Sequence, residues 1–196
     1  WKMHRWLFDR GGAFTDAATQ APLGTLPTGS TCGVIWTVAL AGDLTGDGIP
    51  DLLYGAAWGS RSAFCLDAVD GSTYWSFDSY SMSPPAPPVS GWVYAMDSLG
   101  SDLTLDGYPE VVFCLGSDNN RAYCANGRTG AVLWSVVGGD AFYDVRSIED
   151  INADGIRDVI LGEGDNSPRV QARSGANGAA IWAVTQGSCQ SVAIFP

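Results

Sequence analysis

The sequence predicts an all-β chain: a β-propeller of four-stranded antiparallel blades, with three full repeats and a partial blade at both ends. Three observations carry this. A nine-residue pattern, D-x-[TN]-x-D-G-x-x-[DE], occurs at residues 43–51, 102–110 and 150–158. Each copy leads at a fixed offset to a glycine and a tryptophan: Gly71 and Trp75, Gly130 and Trp134, Gly178 and Trp182, 28 and 32 residues after the leading Asp. No segment sustains an apolar period of 3.6 residues, whereas short β-branched runs recur throughout. Repeats without insertions between fixed points indicate one supersecondary unit used three times.

Within a unit, an apolar first strand precedes the Asp loop, as at 34–40 and 142–148. A short bulky second strand follows it, at 52–54, 111–113 and 159–161. A tip rich in Gly, Asn and Ser leads to a third strand at 63–66, 121–124 and 169–172. A turn ending in Gly opens the fourth strand, 72–75, 131–134 and 179–182, which carries the Trp as inter-blade core. Four strands every 48–59 residues match a propeller blade and not a β-helix coil. The expected organisation is a partial blade and linker at 1–33, blades at 34–78, 92–137 and 138–185, and a first strand of an incomplete blade at 186–196. The 11 residues that separate the 59-residue spacing from the 48-residue one lie between Trp75 and Asp102, in a Pro-rich insertion at 79–91. Proline donates to no ladder, so this reads as a stiff surface loop. Residues 6–14 look like a third strand, turn and fourth strand, and 188–196 like a first strand, so the chain reads as a segment of a longer propeller or one that another chain completes.

The repeated loop places oxygen side chains at positions 1, 3, 5 and 9 and glycine at position 6. A hard cation such as Ca²⁺ takes about six to eight oxygens from such a turned loop. The candidate ligands are Asp43, Thr45, Asp47, Asp51; Asp102, Thr104, Asp106, Glu110; and Asp150, Asn152, Asp154, Asp158, with the backbone carbonyls of Ile49, Tyr108 and Ile156 at position 7. Up to three Ca²⁺ are expected, and the competing reading is a set of metal-free Asx-turns. An EF-hand needs Glu at position 12 between helices; here position 12 is Tyr54, Phe113 or Leu161, between strands.

The net charge of the 196-residue chain is −11, and nine of its 21 acids lie inside the three loops. Three Ca²⁺ would bring the charge from −11 to −5. The sign argues against nucleic acid, which requires a basic face. No run of about 18 apolar residues exists to span a membrane. The start, WKMHRW, is no signal peptide and lacks an initiating Met, which reads as a mature or excised piece. Five cysteines, Cys32, Cys65, Cys114, Cys124 and Cys189, show no C-x-x-C. They fit an extracellular setting, secreted or cell-surface. Cys114 and Cys124 flank a hairpin tip and read equally as a cross-strand bridge or as buried thiols, and the odd count leaves at least one thiol over.

The loops followed by a strand resemble the FG-GAP/VCBS repeats of integrin-α-like calcium-binding propellers. The stretches 65–75 and 126–134 are similar to the quinoprotein-type Trp blade motif. Two departures stand out, Thr45 and Thr104 at position 3 and Glu110 at position 9, and weaker binding is expected of those loops than of the third. The resemblance implies ligands approaching the face opposite the calcium loops. On the blade topology that face also carries the Pro-rich insertion and the tips between the second and third strands. Candidate ligand-binding residues there are Trp58, Arg61, Trp92, Asn119, Arg121, Asn166 and Arg169.

Two functions compete. The first is a non-enzymatic calcium-stabilised module for adhesion, ligand recognition or extracellular assembly. Its partners would be a protein or glycan ligand, or further copies of itself or another chain completing the propeller. The second is an accessory or catalytic propeller domain of a polysaccharide-active or quinone-dependent enzyme. The only histidine, His4, lies in the N-terminal stretch, and no acid/base pair stands out outside the loops.

Overall fold

A computed structural model describes residues 13–15, 22–25, 34–57, 62–79, 91–117, 119–164, 166–185, 187 and 189–193. Three four-stranded antiparallel sheets follow one another, each with its strands in chain order. Blade 1 holds β3 (Val34–Leu40), β4 (Leu52–Ala57), β5 (Ser62–Leu66) and β6 (Thr73–Asp78). Blade 2 holds β7 (Trp92–Ser98), β8 (Val111–Gly116), β9 (Arg121–Ala125) and β10 (Val132–Val137). Blade 3 holds β11 (Phe142–Ile148), β12 (Asp158–Glu163), β13 (Arg169–Arg173) and β14 (Ala180–Thr185). Before them, β1 (Ala13–Thr15) and β2 (Pro22–Thr25) form a two-stranded antiparallel sheet. Among the described residues there is no helix.

The second strands show why the blades stack. Every residue of β8 is buried, because the strand is covered on both faces. Side chains alternate across a strand, so Val111, Phe113 and Leu115 pack with Leu53, Trp75 and Phe77 of blade 1. Val112 and Cys114 pack with Phe142, Val159 and Leu161 of blade 3. The fourth strands run three residues past their tryptophans, further than local sequence implied.

The tryptophans are blade-to-blade connectors. Trp75 Nε1 donates to the Gly127 carbonyl of blade 2 at 2.7 Å, and Trp134 Nε1 to the Gly175 carbonyl of blade 3 at 2.8 Å. The turns that receive them must come close. A Cβ on Gly127 would lie 2.0 Å from the Pro109 carbonyl oxygen, and one on Gly175 1.9 Å from that of Arg157, so only glycine fits.

The chain ends differ from expectation in detail. A described N-terminal hairpin pairs 13–15 with 22–25; the strands expected within 6–14 fall mostly on residues 1–12, which lie outside the described ones. Its register pairs Phe14 with Gly24 and Thr15 with Pro22, with a bulge between, as β5 and β6 pair Cys65 with Trp75 and Leu66 with Thr73. The described residues of 186–196 form no strand. They nevertheless follow blade 3: Cys189 N donates to the Glu163 carbonyl at 3.1 Å and Val192 N to Asp144 Oδ2 at 2.7 Å. Cys65, Cys114, Cys124 and Cys189 are free. Cys114 faces Ala122 and Cys124 faces Val112, so the two thiols stand diagonally and each packs as a small apolar group. Burial pushes both thiols upward in pKa, which keeps them protonated and unreactive.

Asp97, on β7, accepts from Ser147 N of blade 3 at 3.0 Å. Burial raises its carboxyl above the ordinary value, more than the Ser147 N–H and Arg146 lower it. A folded pKa above the unfolded one gives stability that is complete below the unfolded value and lost as pH rises through the folded one. The unfolding free energy of the wild type minus that of Asp97→Asn, measured in urea from about pH 3.5 to 7, should therefore fall as pH rises. A wild-type advantage that grows with pH would contradict this.

Candidate functional site

Each Asp loop is a self-capped turn. Asp43 Oδ1 accepts from Gly46 N at 2.6 Å and Asp47 N at 3.2 Å, and Oδ2 from Gly48 N at 2.7 Å. Asp150 repeats this with Ala153, Asp154 and Gly155, and Asp102 with Asp106 and Gly107. The loop can close this way because Gly48, Gly107 and Gly155 take φ of 87°, 92° and 85°. The N–H groups, that of Gly48 foremost, hold the Asp43 carboxyl below its usual range.

The position-9 acids are the inner anchors. Asp51, Glu110 and Asp158 are fully buried. Asp51 Oδ2 accepts from Leu44 N and Thr45 N at 2.7 and 2.9 Å; Glu110 Oε1 does so from Leu103 N and Thr104 N. Asp158 accepts from Ile151 N at 2.8 Å and from Gly175 N, on the turn between β13 and β14, at 3.1 Å. Burial raises the carboxyls of Asp51 and Glu110. Among the described residues no position-9 acid has an ion-pair partner.

In blades 2 and 3 the residue 24 positions after the leading Asp, Asn126 or Ser174, latches that turn to the loop, whereas the equivalent Asp67 accepts from Val69 N of its own turn at 2.7 Å. Asn126 Nδ2 lies 2.8 Å from both Thr104 Oγ1 and Asp106 Oδ2, and its amide is the main cause lowering the Asp106 carboxyl. Ser174 Oγ donates to Asp154 Oδ2 at 3.0 Å. Local sequence reading missed these latches, although the fixed offset was there to find them.

The donor set can be tested against a cation. The loops supply oxygens of the right hard chemistry, and among the described residues Thr45 Oγ1 and Glu110 Oε2 are buried with no hydrogen-bond partner. The carboxylates are turned onto N–H groups, and among the described residues no three His, Cys, Asp or Glu side chains converge on one point. In loop 3 the Asn152 amide nitrogen lies 3.0 Å from Asp154 Oδ2 and 3.4 Å from Asp158 Oδ1, so a cation held there would need its oxygen turned inward instead.

At the opposite rim, each first strand carries an aromatic on a β-bulge. Trp36, Tyr94 and Tyr143 are the residues skipped in the pairing of β3 with β4, β7 with β8 and β11 with β12. The Trp36 and Tyr94 rings lie 5.6 Å apart and the Tyr94 and Tyr143 rings 4.9 Å apart, both edge to face, with Trp92 6.3 Å from Trp36. Trp92 was legible in the sequence. The other three were not singled out, although Trp36 and Tyr143 both stand seven residues before their loop Asp.

The remaining rim candidates fare differently. Trp58 and Arg61 lie outside the described residues. Asn119 is buried, with Nδ2 3.3 Å from the Tyr123 hydroxyl, because that buried phenol needs a partner. Arg169 is held by buried Glu163 at 2.7 and 3.1 Å, and that acid also accepts from Gly139 N and Gln171 Nε2. Asn166 is exposed and Arg121 partly buried at the start of β9.

No family model matches the chain, and no curated protein does. Solved β-propellers do. BamB from Moraxella catarrhalis aligns over 90% of this chain and 44% of its own at 15% identity, with a TM-score of 0.57. Sqt1 from Chaetomium thermophilum, bound to the N-terminus of ribosomal protein L10, aligns over 87% of this chain and 40% of its own at 13% identity, with a TM-score of 0.59. Sqt1 from Saccharomyces cerevisiae gives 86%, 41% and 11%, with a TM-score of 0.62. This chain is thus a β-propeller repeat protein, and it spans less than half the length of these neighbours.

Proposed function

We propose that the chain is a non-enzymatic propeller module whose Asp loops bind Ca²⁺ and whose opposite rim recognises a protein or glycan in an extracellular setting. One observation carries the metal reading. Three loops in register each bury a position-9 acid without an ion-pair partner among the described residues. A divalent cation would offset the burial that raises Asp51 and Glu110. It would be held by the side chains at positions 1, 3, 5 and 9, as FG-GAP/VCBS-type repeats would hold it. The rim reading rests on the bulge-borne aromatics, of which Trp36 is 49% exposed. Two solved neighbours were captured with protein partners, Sqt1 with the L10 N-terminus and BBS1N with ARL6, which supports a protein ligand for this chain. Calorimetric titration with CaCl₂ should show saturable binding, and EDTA should lower Tm by several degrees. If Ca²⁺ neither binds nor shifts Tm, the metal reading fails.

A further inference from the structure

The three blades build the same turn between their third and fourth strands, but they fill it differently. In each, the carbonyl of the first turn residue accepts from a glycine N–H: Asp67 from Gly71 at 2.9 Å, Asn126 from Gly130 and Ser174 from Gly178, both at 2.8 Å. In each, that residue's own N–H donates to the carbonyl at the start of the next strand, Ser72, Ala131 or Ala179. Residues 67, 126 and 174 therefore hold one place in the repeat.

In blades 2 and 3 that place carries a donor. Asn126 Nδ2 serves Thr104 Oγ1 and Asp106 Oδ2, and Ser174 Oγ serves Asp154 Oδ2. A carboxylate has no proton to give. In blade 1 the equivalent oxygens go unserved. Among the described residues Thr45 Oγ1 is buried with no hydrogen-bond partner, and the only donor to Asp47 is Ile49 N, on Oδ1. Asp67 uses Oδ1 to accept from Val69 N, and among the described residues nothing donates to its Oδ2.

Behind these oxygens Asp51 Oδ1 has only a long contact, 3.4 Å from Ala68 N. Burial is the main cause raising the Asp51 carboxyl, and the charge of Asp67 pushes the same way. Among the described residues no Lys or Arg makes an ion pair with Asp43, Asp47, Asp51 or Asp67. A place lined by acceptors alone is one where a hard cation can do what the Asn126 amide does in blade 2.

We propose that Asp67, from outside the nine-residue pattern, supplies a carboxylate oxygen to a Ca²⁺ in loop 1 and makes that loop the tightest of the three sites. This rests on the metal reading of the proposed function. Loop 1 then offers Asp43, Asp47, Asp51 and Asp67, whereas loops 2 and 3 offer one acid fewer. Affinity in oxygen sites is tuned by ligand charge, so the added acid outweighs Thr45 at position 3, which by itself implies weak binding. In loops 2 and 3 the ion also has to displace the latch donor from the position-5 carboxylate.

Calorimetric titration of the full chain with CaCl₂, together with melting curves in EDTA, tests this on reciprocal variants. Asp67→Asn keeps an acceptor for Val69 N and installs the blade 2 donor. It should weaken the tightest site about tenfold or more, while Tm in EDTA holds or rises. Asn126→Asp removes the donor from loop 2; it should lower Tm in EDTA and tighten a weaker site about threefold. Circular dichroism checks that both variants stay folded. A tightest site unmoved by Asp67→Asn overturns the inference and leaves calcium binding standing. A lower Tm in EDTA for that variant overturns it too, since Asp67 would then be a turn cap and not a ligand. A wild type that binds no Ca²⁺ sinks the metal reading and this inference with it.

Discussion

Phe113→Ala is expected to lower the free energy of unfolding by about 3–5 kcal/mol. Phe113 lies on β8, fully buried between blades 1 and 2. Its ring meets Phe77 of blade 1 edge-on at 4.9 Å and stacks on Tyr123 at 5.3 Å. Truncation removes the transfer free energy of a whole ring and leaves a cavity that two sheets, tied by their own ladders, cannot close. Leu133→Ala, on a side chain 38% exposed on β10, is the matched control and should cost under about 1 kcal/mol. Urea denaturation measures both. A Phe113→Ala loss no larger than the control's would mean that blades 1 and 2 are not packed on this ring.

Asp158→Ala should cost about 2–4 kcal/mol in the absence of metal. Its carboxylate is the acceptor for Ile151 N, Gly175 N and, more loosely, Asn152 Nδ2. Each buried donor left without an acceptor costs about 1–3 kcal/mol. Removing a buried charge that has no cationic partner offsets part of that. Asp158→Asn keeps one acceptor oxygen and should lose less. The bond to Gly175 also ties the Asp loop to the turn that receives Trp134, so hydrogen exchange at 174–178 should rise with the stability loss. Saturating CaCl₂ should widen the gap between wild type and Asp158→Ala if the loop binds the ion. A gap unchanged by CaCl₂ would assign the carboxylate to capping alone.

Much of this was legible in the sequence, for reasons of range. The loop closes within nine residues, so the spacing of Asp43, Gly48 and Asp51 already contains the hydrogen bonds that shape it. The four-strand cycle was legible because each strand is bounded by a glycine-bearing turn and carries a short bulky run. The latches of Asn126 and Ser174 were harder to read, since they join residues 20 apart across a sheet. The aromatic row was harder still. A bulge decides which way Trp36, Tyr94 and Tyr143 point, and bulges follow from pairing with a second strand. Asn119 looked like a tip residue open to ligand; only the buried Tyr123 hydroxyl beside it turned it inward.

The three tryptophans draw the line most clearly. The sequence by itself determined that Trp75, Trp134 and Trp182 occupy one position in one kind of blade, because turn and strand are local and repeat without change. It also determined the chemistry of the Asp loops, whose oxygens are spaced within a single turn. Only the tertiary structure decided that Trp75 is core and Trp182 is surface. Burial depends on what lies across the sheet, and blade 3 has only residues 189–193 against its following face among the described residues.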